Sequence, residues 1–135
     1  MNGGALPLER RARSCQSMCM DQTIFKIVTR EQWRDAESAL RFDGAPVDKA
    51  DGFIHFSTAA QVRETAARHF AGQAGLLLVE VRTQSLGKAL LWEPSRGGAL
   101  FPHLYAPLHL GAVVQTYELP LGPDGTHVFP KEAGA

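Results

Sequence analysis

A strand-forming run followed by a hydroxyl–glutamine helix cap occurs twice in the first half of the chain and not in the second. That order restricts the fold more than any other feature. Thr23 to Val28 (TIFKIV) is β-branched and aromatic and predicts a strand. Thr29 with Gln32 then forms the capping box of a helix whose inner face carries Trp33, Ala36 and Leu40. Asp43-Gly44-Ala45-Pro46 stops it, and Val47 to Asp51 reads as a polar connection. Gly52 to Phe56 repeats the short strand. Ser57 or Thr58, with Gln61, caps a second helix through Val62, Ala66, His69 and Phe70. Gly72 ends it.

The second half is extended instead. Gly75 to Val81 predicts a largely buried strand, Ser85-Leu86-Gly87 a turn, and Leu90 to Glu93 a short strand stopped by Pro94. Pro102 and Pro107 rule out one long helix or a central strand across Phe101 to Leu108. Ala112 to Leu119 is the last strand, and Gly122 to Gly125 is a turn. Two early helices followed by strands is not the βαβα alternation of a doubly wound sheet. It predicts an α+β fold, with a mixed or antiparallel sheet and helices packed beside it.

The 135 residues suit one domain, placed at 21–122 with a loose segment at 123–135. Residues 1–20 show no hydrophobic period and read as a disordered tail, with Met20 as a natural start. The arginines Arg10, Arg11 and Arg13 run into Ser14 and Cys15 without the apolar stretch of a signal peptide. With 14 basic and 14 acidic residues there is no cationic excess to neutralise phosphates, so general nucleic-acid binding is not expected. The longest apolar run, Ala74 to Val79, is far short of the roughly 20 residues of a membrane span. Both cysteines, Cys15 and Cys19, lie in the tail, so no disulfide framework holds the core, which favours the cytoplasm.

Three segments could carry chemistry. On an extended Gly52 to Ser57, Ile54 and Phe56 point one way and Phe53, His55 and Ser57 the other, next to a helix start suited to an anion. Ser57 and Thr58 are ligand candidates, with plain capping as the alternative. Trp92-Glu93 places a carboxylate beside an aromatic ring, followed by a glycine-containing loop in which Arg96 is an anion clamp or a solvated charge. Phe101 to Pro107 is stiffened by prolines and presents His103 and Tyr105. His69, His109, His127 and Glu118 rank lower. No P-loop, dinucleotide fingerprint, zincin motif or nucleophile elbow occurs.

Asp51-Gly52-Phe53-Ile54-His55-Phe56-Ser57-Thr58, Leu91-Trp92-Glu93 and Phe101-Pro102-His103-Leu104-Tyr105 together resemble a family of small uncharacterised bacterial and plant proteins, domain-of-unknown-function family nine-five-two. The resemblance spans Thr23 to Leu119. It implies distant similarity to the ADP-ribosyltransferase-like fold group, with a split sheet around a cleft that holds NAD in the transferases. By that likeness His55, Ser57 and Thr58 face the ligand. Lys26 stands where the group usually has His or Arg. Glu118 follows Thr116, with Gln115 one place out of step, where the group carries its catalytic carboxylate.

The expected function is thus an enzyme acting on NAD or an ADP-ribose-like ligand. Glu93, His55 and His103 would be its catalytic groups, and Phe53, Ser57, Thr58, Trp92, Arg96 and Tyr105 its ligand contacts. The alternative is a non-catalytic module for a nucleotide or small anionic ligand. A lesser one is a metal site of His55, His103 and Glu93. NAD enters as an expected substrate, and no resident cofactor or metal is assigned.

Overall fold

The computed structural model describes residues 23–94 and 98–130. The expected N-terminal tail, its two cysteines and Arg96 lie outside them. In chain order the elements are β1 (Thr23–Thr29), α1 (Arg30–Ala39), β2 (Arg41–Phe42), α2 (Pro46–Asp51), β3 (Ile54–His55), α3 (Val62–His69), β4 (Leu76–Arg82), β5 (Leu90–Pro94), β6 (Leu100–Leu104), β7 (Leu108–His109) and β8 (Val113–Leu119). A 3₁₀ segment, Thr83–Ala89, links β4 to β5. The sheets run β1-β4-β8, β2-β7 and β3-β6-β5. Every pairing among the described residues is antiparallel, so the fold is α+β with antiparallel sheets and carries no parallel element.

The β1-β4-β8 sheet is covered on both faces. Ile24, Val28, Val79 and Val81 join Trp33 and Ala36 of α1 with Ile54, Phe56 and Leu104 in one core cluster. Phe25, Ile27, Leu76 and Leu78 point the other way, onto Val62 and Ala66 of α3. Two-sided burial explains why β4 reads Leu-Leu-Leu-Val rather than alternating. The cap of α1 is the expected one: Gln32 N donates to Thr29 Oγ1 and Thr29 N to Gln32 Oε1, both at 3.0 Å.

Leu40 is not on the inner face of α1: it caps the helix end at φ +62° and is 73% exposed. Three further expectations need correction. Val47 to Asp51 is part of a helix, α2, not a plain connection. Pro46 opens it at a position where a missing N–H costs nothing, and Asp48 in its first turn accepts from Ala45 N at 2.7 Å. Gly44 is required there: its φ is +112°, and a Cβ on it would lie 2.9 Å from that of Asp48. Secondly, Thr58 and Gln61 make their reciprocal bonds, but these close a turn before α3, which begins at Val62.

Thirdly, Leu100–Leu104 is the central strand of its sheet despite Pro102. The β3-β6 register places Phe56 opposite Pro102, and Phe56 N donates to Pro102 O at 3.0 Å. Proline cannot return the second bond of that pair, so the ladder ends there and β3 stays two residues long. Ser57 then crosses to the other sheet, exchanging backbone bonds with Phe25 at 2.7 and 2.8 Å. The proline thus sits at a strand position where its missing donor terminates pairing. Further on, His127 is buried and its Nε2 lies 2.8 Å from Gln73 O, so the chain around His127 packs back onto the domain.

Candidate functional site

The β3-β6 register sets His55 directly opposite His103. This is a pair between hydrogen-bonded rungs, where side chains stand closest. Their ring centres are 5.5 Å apart, edge to face. Phe53 covers both rings: it stacks on His103 at 4.2 Å, meets His55 at 4.6 Å and reaches Tyr105 at 5.1 Å. His103 Nδ1 and the Tyr105 hydroxyl each lie 2.7 Å from Glu93 Oε1. The His103 bond, then the Tyr105 bond, holds the Glu93 carboxyl below its ordinary range. The shared bond in turn pushes the Tyr105 phenol up.

Because His55 faces His103 between rungs, its own backbone N–H and C=O point away from β6, toward the sheet edge. Side chains satisfy them there. His55 N donates to Asp48 Oδ1 at 3.1 Å, and Lys26 Nζ donates to His55 O at 3.0 Å. Lys26 also meets both oxygens of Asp48, at 3.2 and 3.1 Å. His55 Nδ1 lies 2.6 Å from Asp48 Oδ1, and its Nε2 lies 2.9 Å from Asp51 Oδ2. Asp48 is 1% exposed. Burial alone would raise its pKa, but the His55 bond, the Lys26 charge and the backbone N–H groups of Ala45 and His55 outweigh it and hold it at about 2. Burial lowers the Lys26 pKa, against the pull of Asp48.

A cleft of about 550 Å³ opens beside this pair, between β1, α2, β3, α3 and β6. Phe25, Phe56, Phe70 and Phe101 contribute to its apolar lining, and Lys26, Asp51, His55, Ser57, Thr65, His69 and His103 to its polar lining. Asp51 is the one carboxylate among the lining residues. Phe53, Glu93 and Tyr105 are not lining residues; they hold the histidines.

Of the residues singled out from sequence, Phe53, His55, Glu93, His103 and Tyr105 converge, and Ser57 joins the cleft wall, its Oγ 2.9 Å from Thr65 Oγ1. Thr58, Trp92 and Glu118 do not join them. Thr58 is buried and its reciprocal bonds with Gln61 close the turn before α3, so it neither lines the cleft nor caps the helix. Trp92 packs half-buried on the first core cluster, on the face of β5 opposite Glu93. Glu118 pairs with Arg30 and is absent from the cleft lining. Among the described residues, no group of three or more His, Cys, Asp or Glu side chains is placed to hold a metal ion, which removes the geometric basis of a metal site of His55, His103 and Glu93. Nor is any helix among them long and apolar enough to cross a membrane.

Sequence reasoning passed over Asp48, Asp51 and Thr65 as site residues, and it ranked His69 low, although His69 lines the cleft. Asp48 had a signal: it follows Pro46 by two residues, the spacing of a proline-opened helix with an acid in its first turn.

A small α+β protein with paired, carboxylate-held histidines on an aromatic cleft is the class that this geometry defines. Residues 27–116 match the family described as "Protein of unknown function (DUF952)", and the chain belongs to it. The crystal structure of protein CC0527 from Caulobacter crescentus is 46% identical, with a TM-score of 0.80, over 84% of this chain and 99% of that one. A solution NMR structure of CC0527 is 50% identical, with a TM-score of 0.70, over 77% and 90% of the two chains. Among curated proteins none matches.

Proposed function

We propose that the cleft binds a nucleotide-like small molecule such as NAD or ADP-ribose, and that the chain cleaves at its ribosyl centre. The observation that carries this reading is the 2.7 Å contact from Glu93 to His103 Nδ1, which aims a fixed imidazole at a phenylalanine-lined cleft. Ring faces suit flat bases, and they favour a cationic pyridinium further. Asp51, on the cleft wall, is the group we assign to stabilise positive charge at the ribosyl carbon as the nicotinamide bond breaks. Water adds to that carbon and gives its proton to His103 Nε2. Glu93 has one oxygen shared by two donors and lies outside the lining, so we assign it to positioning His103. His55 orients Asp51. The two main sheets flanking a cleft are compatible with an ADP-ribosyltransferase-like arrangement. The cysteine-free core favours a cytoplasmic setting.

A specific observation favours the non-catalytic alternative: Glu118, at the late-strand position, is engaged by Arg30 and lies outside the cleft lining. The two readings part in one experiment. Amide NMR titration of the full chain with NAD, ADP-ribose and nicotinamide is expected to move His55 to Thr58 and His103 to Tyr105. Nicotinamide release should then fall about 10²–10⁴-fold in His103→Asn. Saturable binding without release supports the module. No shift at millimolar ligand refutes both.

A further inference from the structure

His55 and His103 are not equivalent, and ribosyl cleavage moves a proton only at His103. Both line the cleft, and each Nδ1 contacts a carboxylate, Asp48 at 2.6 Å for one and Glu93 at 2.7 Å for the other. His55 Nε2 faces a second carboxylate, Asp51, at 2.9 Å. An imidazole between two carboxylates donates to both only as the imidazolium. His103, with Nδ1–H on Glu93, has its Nε2 lone pair to offer. A proton donor and a proton acceptor with ring centres 5.5 Å apart are close enough to serve one tetrahedral centre.

We propose that His55 and His103 form an acid–base pair that opens the five-membered cyclic phosphodiester of a nucleoside, with water as the only co-reactant. Water adds to phosphorus as its proton passes to His103 Nε2. The phosphorus–oxygen bond to one ribose oxygen breaks, that oxygen keeps the electron pair, and His55 Nε2 supplies its proton. The product is a phosphomonoester, and the two rings return to their starting states by proton exchange with solvent. Opening the ring relieves its strain. The phenylalanine walls hold the base.

Asp51 has a definite part in this. Its carboxylate sits on His55 Nε2, where an anionic phosphoryl oxygen would have to sit. Its side chain is 48% exposed and belongs to the last residue of α2, so it can leave without disturbing the core. Asp48 is the fixed partner: buried, and held by Lys26. Asp51 therefore competes with the phosphate and sets how tightly it binds.

The inference rests on the cleft being a nucleotide site, but not on ribosyl cleavage. The test uses the full chain and 2′,3′-cyclic AMP in chelator-containing buffer, with turnover followed by phosphorus NMR and binding by saturation-transfer NMR. The expected result is a single phosphomonoester isomer, lost about 100-fold or more in His55→Asn and in His103→Asn. Folding of both variants is checked by thermal melting. Asp51→Asn should lower KM several-fold for the cyclic nucleotide while reducing NAD cleavage; that opposition supports the competition and also covers the case in which a histidine variant does not fold. Turnover unchanged in a folded histidine variant overturns the proposal. Binding without turnover overturns it and leaves the nucleotide site standing. No binding of either nucleotide overturns both.

Discussion

Replacing Asp48 by alanine tests the electrostatic frame under His55. Asp48 is 1% exposed and accepts from Lys26, from the His55 ring and backbone, and from Ala45 N. Its removal leaves the Lys26 ammonium, 8% exposed, without its counter-charge. Breaking a buried pair from one side costs about 3–5 kcal/mol. Some water will reach the space left behind, so we take about 4 kcal/mol. Domains are stable by about 5–15 kcal/mol, so this is a large part of the whole. Urea unfolding followed by tryptophan fluorescence is the assay. With m between about 1.5 and 2 kcal/mol/M, the midpoint should fall by roughly 2–2.7 M. Lys26→Met should cost less, because Asp48 keeps the imidazole and two backbone N–H donors. A loss under about 1 kcal/mol for Asp48→Ala, or a larger loss for Lys26→Met, would refute the account of Asp48 as the anchor.

Three more outcomes follow from the same contacts. The folded pKa of Asp48, about 2, lies below its ordinary value of 3.8, so its contribution is complete above about pH 4 and disappears as pH falls through 2. That contribution is about 2 kcal/mol, and the corresponding slope should be missing from acid unfolding of Asp48→Asn. Thr29→Ala breaks the reciprocal cap of α1 and should cost about 1 kcal/mol in urea unfolding. The Glu93 bond pushes the Tyr105 phenol up, so in a Tyr117→Phe background phenolate absorbance should rise at higher pH than in the same chain with Glu93→Gln. Coincident curves would remove the Glu93–Tyr105 bond from the site.

Local signals in the sequence translate into local structure where one segment carries the whole cause. Thr29 and Gln32 cap α1 because both partners lie within one turn, and Leu76 to Val81 forms a buried strand because its composition already demands burial on both faces. Pro102 misleads for the opposite reason. A proline weakens a strand only if the ladder needs its N–H, and that depends on where the neighbouring chain leaves. Here Phe56 is the last residue of β3 and its extension to make a backbone bond to β6, and Ser57 is already on β1. The departure point of a strand distant in sequence is not written in the residues around the proline.

The same distinction divides the site. His55, Glu93, His103 and Tyr105 are legible because each is a polar or ionisable group set among apolar residues on a short extended segment, and strand pairing then brings the segments together. Asp48 is not, and Lys26 is noticed only through the family resemblance, because their role is defined by an unfilled requirement at the sheet edge. An edge strand leaves backbone groups without partners, and buried ones must be satisfied. In β3 the His55 N–H is taken by Asp48 and the His55 C=O by Lys26, side chains that lie 7 and 29 positions away in sequence. The ion pair therefore does two things at once. It ends the sheet without exposing an edge, and it fixes the ring of the residue whose backbone it caps. A substitution that disturbs the edge must also disturb the orientation of His55, so stability and any chemistry at His55 should fail together in Asp48 variants and separately in Asp51 variants, where only the ring nitrogen is touched.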